Sequence, residues 1–599
     1  MRIRRIGALS TGLLLAAGAV VAGPSASAAS HPPTESPVAT GYLGAVVSDT
    51  PESTQAGIDI LRRGGTAADA AVAVAATLGV TDPYVAGLGG GGFFVYYDAR
   101  RGTVSTIDGR ETTPSAGSET MFIDPATGAP YDFDRAVNSG LSVGVPGMLA
   151  TWERALARWG RFDLKTTLRP AITVADKGFV VDEAFNEQTA DNAERFSQFT
   201  STAELFLPGG APPAVGSVLR NPDLADTYRE IAKKGTDAFY GGPIGADMVE
   251  TVTNPPLIPD PTLDPPQGLM ALDDVAAYQA IDRDPTHVRY RGLDVYGMAP
   301  PSSGGITVGE ALNILEGSDL STMEPTQALH HYLEASRLSF ADRNRYIGDS
   351  DFVDVPQDAL LSDEFAARRA CLIDPAQAMR SPIPPGDPTG AGDCGTATPA
   401  SAPVNEGDHT NHFVVSDLWG NVVSYTNTIE QLGGSGITVS DRGFLLNNEL
   451  TDFNFAPTQG EAPDPNLPAP AKRPRSSMSP TIVLQDGKPF LAVGSPGGAT
   501  IITTVLQILV NRLDLGMTLP EALAAPRATQ RNAAKTEAEP AFLALDTTTG
   551  LEALGHQFTE RSSIGVAAGL EFLKHGKVLA VGEPTRRGGT SAAVVLPVP

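Results

Sequence analysis

The run Gly407-Asp408-His409-Thr410-Asn411-His412-Phe413-Val414-Val415-Ser416-Asp417 decides how this chain is read. It is a polar turn followed by an apolar strand. Asp417-Leu418-Trp419-Gly420-Asn421 carries turn residues, and Val422-Val423-Ser424-Tyr425-Thr426 is rich in β-branched and aromatic residues, so Thr410 opens a β-hairpin. A threonine before a strand is ordinary. What sets this one apart is the chain on either side of it.

Upstream, residues from about Ala378 to Gly407 are rich in Pro, Gly, Ala and Asp and show no apolar period. This predicts an exposed, mobile segment running up to Thr410. Further back, Arg2, Arg4 and Arg5 precede an apolar run from Ile6 to Val21, and Ala26-Ser27-Ala28 follows as a cleavage signal. Residues 1–28 therefore read as a signal peptide removed near Ala28. The run is shorter than the ~20 residues that a bilayer requires, and no later stretch is long and apolar enough to span. The expected mature chain is exported and soluble, secreted or periplasmic. In such an oxidising compartment the only two cysteines, Cys371 and Cys394, read as one disulfide pinning the early part of the loose segment.

The formal charge of -26 argues against nucleic acid or an anionic membrane as partner, since both need a basic face. Residues 29–37 read as linker, with the fold beginning near Thr40. Ser53–Arg63 has helical spacing and stops at Gly64-Gly65. Thr66 with Asp69 is a capping box for a second helix, Ala67–Leu78, which is almost uncharged and so should be buried. Strands are expected at 93–97 and 104–107, a helix at 148–159, and helical pattern from 164 to 240. Pro255–Pro266 is a surface loop, and Pro300-Pro301-Ser302-Ser303-Gly304-Gly305 opens a helix over 307–315. Past Thr410 the pattern gives strands at 413–418, 422–427, 443–447, 481–485, 490–494 and 591–596, with a helix over 499–511. Pattern alone stops at one intertwined body of the α+β or α/β class.

Several motifs fail on context. Gly87-Leu88-Gly89-Gly90-Gly91-Gly92 matches the dinucleotide fingerprint, yet it follows a helix and precedes a strand, the reverse of what pyrophosphate binding needs. Close backbone packing is the better account. Gly140-Leu141-Ser142-Val143-Gly144 matches the nucleophile elbow but lacks the buried strand before it, and Pro146-Gly147 interrupts the helix after it. His330-His331, with Glu334, lacks the zinc-binding order, and His409 with His412 has no third ligand. No metal and no cofactor is expected.

Downstream of the hairpin come Gly433-Gly434-Ser435-Gly436, Leu445-Leu446-Asn447-Asn448-Glu449-Leu450-Thr451-Asp452-Phe453, Lys472-Arg473-Pro474-Arg475-Ser476-Ser477-Met478-Ser479-Pro480 and Gly494-Ser495-Pro496-Gly497-Gly498. In this order and spacing they resemble the γ-glutamyltransferase (γ-glutamyl transpeptidase) family, from about residue 42 to 599. The resemblance implies an N-terminal-nucleophile αββα four-layer sandwich. It also implies a precursor that cuts itself at His409-Thr410 into a large chain, 29–409, and a small catalytic chain, 410–599, which stay together as a heterodimer. Thr410 matches the nucleophile, and Thr428 a residue that hydrogen-bonds the nucleophile's amine and hydroxyl. Glu449 and Asp452 match positions that bind a substrate amine, and Arg110, Ser476 and Ser477 those that bind its carboxylate.

The chemistry agrees. A threonine hydroxyl needs a base, and the α-amino group freed by cleavage, with a reference pKa of ~7.7–8.0, lies within reach of its own hydroxyl. The Gly497 and Gly498 N–H groups, by a helix N-terminus, suit a developing oxyanion. A guanidinium such as Arg110 grips a carboxylate bidentately. The expected activity is transfer of the γ-glutamyl group of glutathione and related compounds to water or to an amino-acid or peptide acceptor. One position departs from the family pattern: Glu430 stands where an asparagine is usual. The segment Asn454–Ala471 also looks shorter than a full lid. Both motivate an alternative, a same-fold acylase of glutaryl-type amides or a poly-γ-glutamate depolymerase.

Overall fold

The computed structural model describes residues 36–390, 407 and 409–598. The expected signal peptide at 1–28, Asp408 and Cys394 lie outside the described residues. Cys371 is exposed at the end of the helix Asp363–Ala370.

The chain enters as β1 (Val38–Ser48), followed by α1 (Pro51–Arg62), α2 (Ala67–Thr81), the hairpin β2 (Gly91–Asp98) and β3 (Thr103–Gly109), and α3 (Met148–Trp159). Short helices fill most of residues 164–253. Then β4 (Ile281–Arg283), β5 (Thr286–Tyr290) and β6 (Leu293–Gly297) lead into α4 (Gly304–Glu316) and the long α5 (Pro325–Tyr346). Thr410 is followed at once by the hairpin β7 (Asn411–Asp417) and β8 (Val422–Thr428). The rest comprises β9 (Thr481–Gln485), β10 (Lys488–Gly494), α6 (Thr500–Leu513), α7 (Leu519–Ala524), β11 (Ala568–Phe572), β12 (Val578–Gly582) and β13 (Ser591–Pro597).

These thirteen strands join in the order β4-β3-β2-β8-β7-β1-β12-β11-β10-β9-β6-β5, with β13 also paired to β1. β1 is where the path turns from one layer into the next. Val38–Gly41 pairs with β12, whereas Gly44–Val47 pairs with β7 and Ala45–Ser48 with β13. Between the halves the register shifts at Leu43 and Gly44, whose φ values are 69° and 122°. A bulge of this kind bends a strand. As a result β8 packs on β10 and β7 on β11, although neither pair shares a ladder.

Side-chain alternation separates the layers. Val46, Phe94, Tyr96, Phe413 and Val415 join one apolar cluster, while their neighbours Ala45, Val47, Phe93, Val95 and Val414 join a second. The first cluster is roofed by α1, α2 and α3; the second runs between the sheets and on to α4, α5, α6 and α7. The result is helix, sheet, sheet, helix. α2 is buried throughout, and its capping box forms as expected: the Thr66 N–H donates to Asp69 Oδ2 at 2.8 Å and the Asp69 N–H to Thr66 Oγ1 at 3.2 Å. Its N-terminus also docks the end of β7, with the Ala67 N–H donating to Asp417 Oδ2 at 2.9 Å.

Two expectations need correction. Residues 443–447 are not a strand; Leu445 and Leu446 make only isolated bridges, to Thr438 and Gly89. The stretch expected to be loose from Ala378 is held over its described part, because side chains rather than a ladder take its backbone groups. The Met379 N–H donates to Glu334 at 2.9 Å, and Asn532 brackets Ile383, accepting from its N–H at 2.7 Å and donating to its C=O at 2.8 Å. The Gly386 N–H donates to Asp342 at 2.5 Å.

A Cβ at Gly44 would lie 2.6 Å from the Ser416 carbonyl oxygen, on the strand that follows Thr410. Gly44→Ala is expected to lower stability by ~1–3 kcal/mol or more, read as a fall in the urea midpoint at constant slope. An unchanged midpoint would show that the bulge does not carry the turn between layers.

Candidate active site

Thr410 sits at the mouth of the β7–β8 hairpin. Asn411 pairs with Asn427, so the residues just beyond, Thr410 and Thr428, face each other with hydroxyl oxygens 3.5 Å apart. Thr410 Oγ1 donates to the His409 carbonyl oxygen at 2.7 Å, and Thr428 Oγ1 donates to the same oxygen at 3.2 Å. The Glu430 N–H in turn donates to Thr428 Oγ1 at 2.8 Å, which fixes the direction in which that hydroxyl gives its proton. The carbonyl before Thr410 is thus gripped by two hydroxyls. The glycine run at 87–92 explains the close fit on this side: a Cβ at Gly90 would lie 2.1 Å from the Thr428 carbonyl oxygen.

One cleft contains Thr410, Thr428 and Gly498, and every other site residue named from the sequence except Gly497 also lines it. Arg110, at the end of β3, is buried; its Nε donates to the Pro474 carbonyl at 3.2 Å, and its guanidinium forms ion pairs with Glu449 and Asp452. The residues assigned to a carboxylate and those assigned to an amine therefore hold each other. Glu449 and Asp452 lie on a single 3-10 turn, Glu449–Asp452, which presents both carboxylates to the arginine. Gly497 and Gly498 have φ of 131° and 54°, which glycine adopts without strain, and lead into α6.

Glu430 is buried, with a φ of 79°. One carboxyl oxygen accepts the Gly407 N–H at 2.7 Å, and the other accepts from Asn448 Nδ2. Burial, then the charge of Asp452, holds this carboxyl well above the usual range, while the Asn448 and Gly407 donors pull it down. Burial and the neighbouring arginines push the His409 imidazole down to about 3, and burial alone does the same to His412. Neither is a cation here.

Some supporting residues carry no local sign in the sequence. Asn448 lies inside a quoted motif, and nothing in its neighbours marks its contact with Glu430. Ser302 and Ser303, in the loop before α4, hold the Ser476–Met478 backbone: Ser302 Oγ donates to the Met478 carbonyl and Ser303 Oγ to that of Ser476, each at 2.7 Å. Behind the nucleophile, Asn411 Nδ2 donates to Asp49 Oδ2, and Arg587 Nη1 donates to the Thr410 carbonyl at 3.3 Å. Burial and the adjoining Asp82 push the Asp49 carboxyl up to about 8.

Ser142 is buried, and its Oγ donates to the Val137 and Ser139 carbonyls, both at 2.9 Å. Among the described residues the one group of three metal-type side chains is His330, Glu334 and His556, away from Thr410. There His330 and His556 hydrogen-bond each other at 2.8 Å and Glu334 pairs with Arg337 at 3.0 Å, while His556 Nδ1 is buried without a hydrogen-bond partner.

Comparison with known proteins shows the family. The family model described as Gamma-glutamyltranspeptidase matches residues 53–593. The chain is 38% identical over 563 residues to the glutathione hydrolase proenzyme of Bacillus subtilis (strain 168), covering 92% of each. It is 37% identical over 532 residues to the glutathione hydrolase proenzyme of Escherichia coli (strain K12), covering 86% of this chain and 87% of that one. Among solved structures, the cephalosporin acylase from Bacillus halodurans is similar, with a TM-score of 0.80, 26% identity, and coverage of 95% of this chain and 99% of that one.

The state of Asp49 is open to measurement. In the fold it holds its proton up to about pH 8, whereas in the unfolded chain it releases it near ~3.9. Between those values the folded state binds more protons, so this group's contribution to stability falls as pH rises. Asp49→Asn keeps the acceptor for Asn411 and cannot ionise. It is expected to gain stability relative to the wild type between pH 4 and pH 8 in parallel urea titrations. Curves that stay parallel would show that Asp49 is ionised in the fold.

Proposed function

The chain belongs to the gamma-glutamyltranspeptidase family, and on that premise we propose that it is an exported γ-glutamyl hydrolase and transferase that cuts itself before Thr410 and then uses Thr410 as its nucleophile. What supports this most is the pair of hydroxyls on the His409 carbonyl. In the uncut chain Thr410 Oγ1 attacks the His409 carbonyl carbon, and the Thr428 hydroxyl donates to the oxygen as charge builds on it. The C–N bond breaks as the Thr410 nitrogen takes a proton, leaving an ester. Water then hydrolyses the ester, returning the hydroxyl to Thr410 and leaving a carboxylate on His409. The freed amine, ~7.7–8.0 in its reference pKa, serves as base for the next attack. The acyl oxygen of the substrate would take the place of the His409 oxygen, with the Gly497 and Gly498 N–H groups facing it.

The two products, 29–409 and 410–599, would stay together for a structural reason. β7 and β8 lie between β1 and β2, which belong to the large chain, so the two chains share one sheet. The basic, apolar start of the sequence supports export, and no described helix is long and apolar enough to cross a membrane. The cysteine pair is proposed as a disulfide in the same compartment.

The substrate follows from the ion pairs in the cleft. A γ-glutamyl group carries an α-ammonium and an α-carboxylate. On binding, the ammonium replaces Arg110 at Glu449 and Asp452, while the carboxylate meets Arg110, Ser476 and Ser477. Each buried charge exchanges one partner for another, and none is left bare. An acyl group with only one of the two charges would break the pairing and leave the other side uncompensated. Glutathione is the natural candidate, as the relatives' names indicate, and no cofactor enters the chemistry.

Glu430 carries the second reading. If Glu430 takes up a proton, a step that its burial favours, its carboxyl could donate to the substrate once Gly407 withdraws, which an ionised one cannot. That would admit glutaryl groups, as in an acylase. Initial rates on γ-glutamyl and glutaryl p-nitroanilides, with and without a dipeptide acceptor, separate the readings. The first predicts a preference for the γ-glutamyl compound on the order of tenfold or more. It also predicts that Glu430→Asn shifts the balance from hydrolysis toward transfer. Equal rates on both anilides would favour the acylase.

A further inference from the structure

The carboxylate side of this cleft has a second guanidinium that no motif announces. Arg343, on α5, is buried, and Phe340 lies 5.5 Å from its guanidinium carbon. Its Nη2 donates to Ser477 Oγ at 2.7 Å, its Nε to Ser303 Oγ at 2.8 Å, and its Nη1 to Asn344 Oδ1 at 3.0 Å. Ser303 Oγ in turn donates to the Ser476 carbonyl at 2.7 Å. One planar fork thus touches Ser477 directly and Ser476 through one hydroxyl.

A serine oxygen that receives a charged N–H must point its own hydrogen in another direction. The nearby positive charge also makes that hydroxyl a better donor. We propose that Arg343 is a positioning residue for the substrate's α-carboxylate: it fixes where the Ser477 hydroxyl stands in the cleft and, through Ser303, the Ser476 backbone beside it. This rests on the reading of Ser476 and Ser477 given above. A lysine cannot reproduce it, because a single ammonium does not span Ser303 and Ser477 with a fixed fork.

The test compares two anilides that differ only in the α-carboxylate, γ-glutamyl p-nitroanilide and 4-aminobutyryl p-nitroanilide. The wild type is expected to prefer the first, and a wild type without that preference would refute the carboxylate subsite itself. In Arg343→Lys and Arg343→Met, KM for the γ-glutamyl compound is expected to rise on the order of tenfold with kcat little changed, while KM for the 4-aminobutyryl compound stays put. A role in folding alone would move both substrates together. If Arg343 variants do not mature, Ser303→Ala carries the test, since it removes the guanidinium's second anchor and leaves Ser477 in place: it must lose part of the same discrimination. Retained discrimination in Arg343→Lys or in Ser303→Ala, or equal losses on both anilides, would overturn the proposal while leaving the carboxylate subsite intact.

Discussion

The hydroxyl of Thr428, fixed by the Glu430 N–H behind it and aimed at the His409 carbonyl oxygen, is the contact on which the rest depends. It places a donor where negative charge would grow and leaves the Thr410 hydroxyl beside the same carbonyl. Two strands are enough to set this geometry, but a lone hairpin is marginal in water. Here β7 and β8 are central strands, buried on both faces, with β1 on one side and β2 on the other. The bulge in β1 and the buried helix α2 behind β7 serve that placement. The four-layer sandwich can be read as the mount for one peptide bond.

The second constraint is electrostatic. The cleft buries Arg110, Glu449, Asp452 and Glu430, and each ion brought out of water costs several kcal/mol unless it is matched. The structure meets this in two ways. Arg110 is matched by Glu449 and Asp452, and Glu430 by hydrogen bonds from Gly407 and Asn448 to its two carboxyl oxygens. On the proposed function, such an arrangement would exchange partners when a zwitterionic acyl group enters, and its selectivity would come from the penalty for an incomplete exchange rather than from contact area.

Much of this was legible in the sequence where the signal is local. The capping box at Thr66 and Asp69, the helix at 148–159 and the hairpin at Thr410 rest on neighbouring residues and appear as read. The Ser142 and glycine-run motifs were set aside on flanking context, and their burial shows why that context mattered. Legibility ends where partners are distant. Asn411 meets Asp49 across 362 positions and Arg343 meets Ser477 across 134, and no periodicity encodes either contact. The stretch after Ala378 read as loose because it has no period. It is held by Glu334, Asp342 and Asn532, from elements whose own patterns say nothing of it. The run Leu445-Leu446 looked like a strand because apolar pairs do, yet it packs as an irregular turn beside the glycine run.

On the proposed function one residue, Thr410, is both the point of cleavage and the nucleophile. N-terminal sequencing of the smaller fragment of the purified protein tests this directly. It should read Thr-Asn-His-Phe, beginning at Thr410, and no such fragment should form in Thr410→Ala. A fragment beginning anywhere else, a wild-type chain that stays whole, or the same cut in the alanine variant would contradict it.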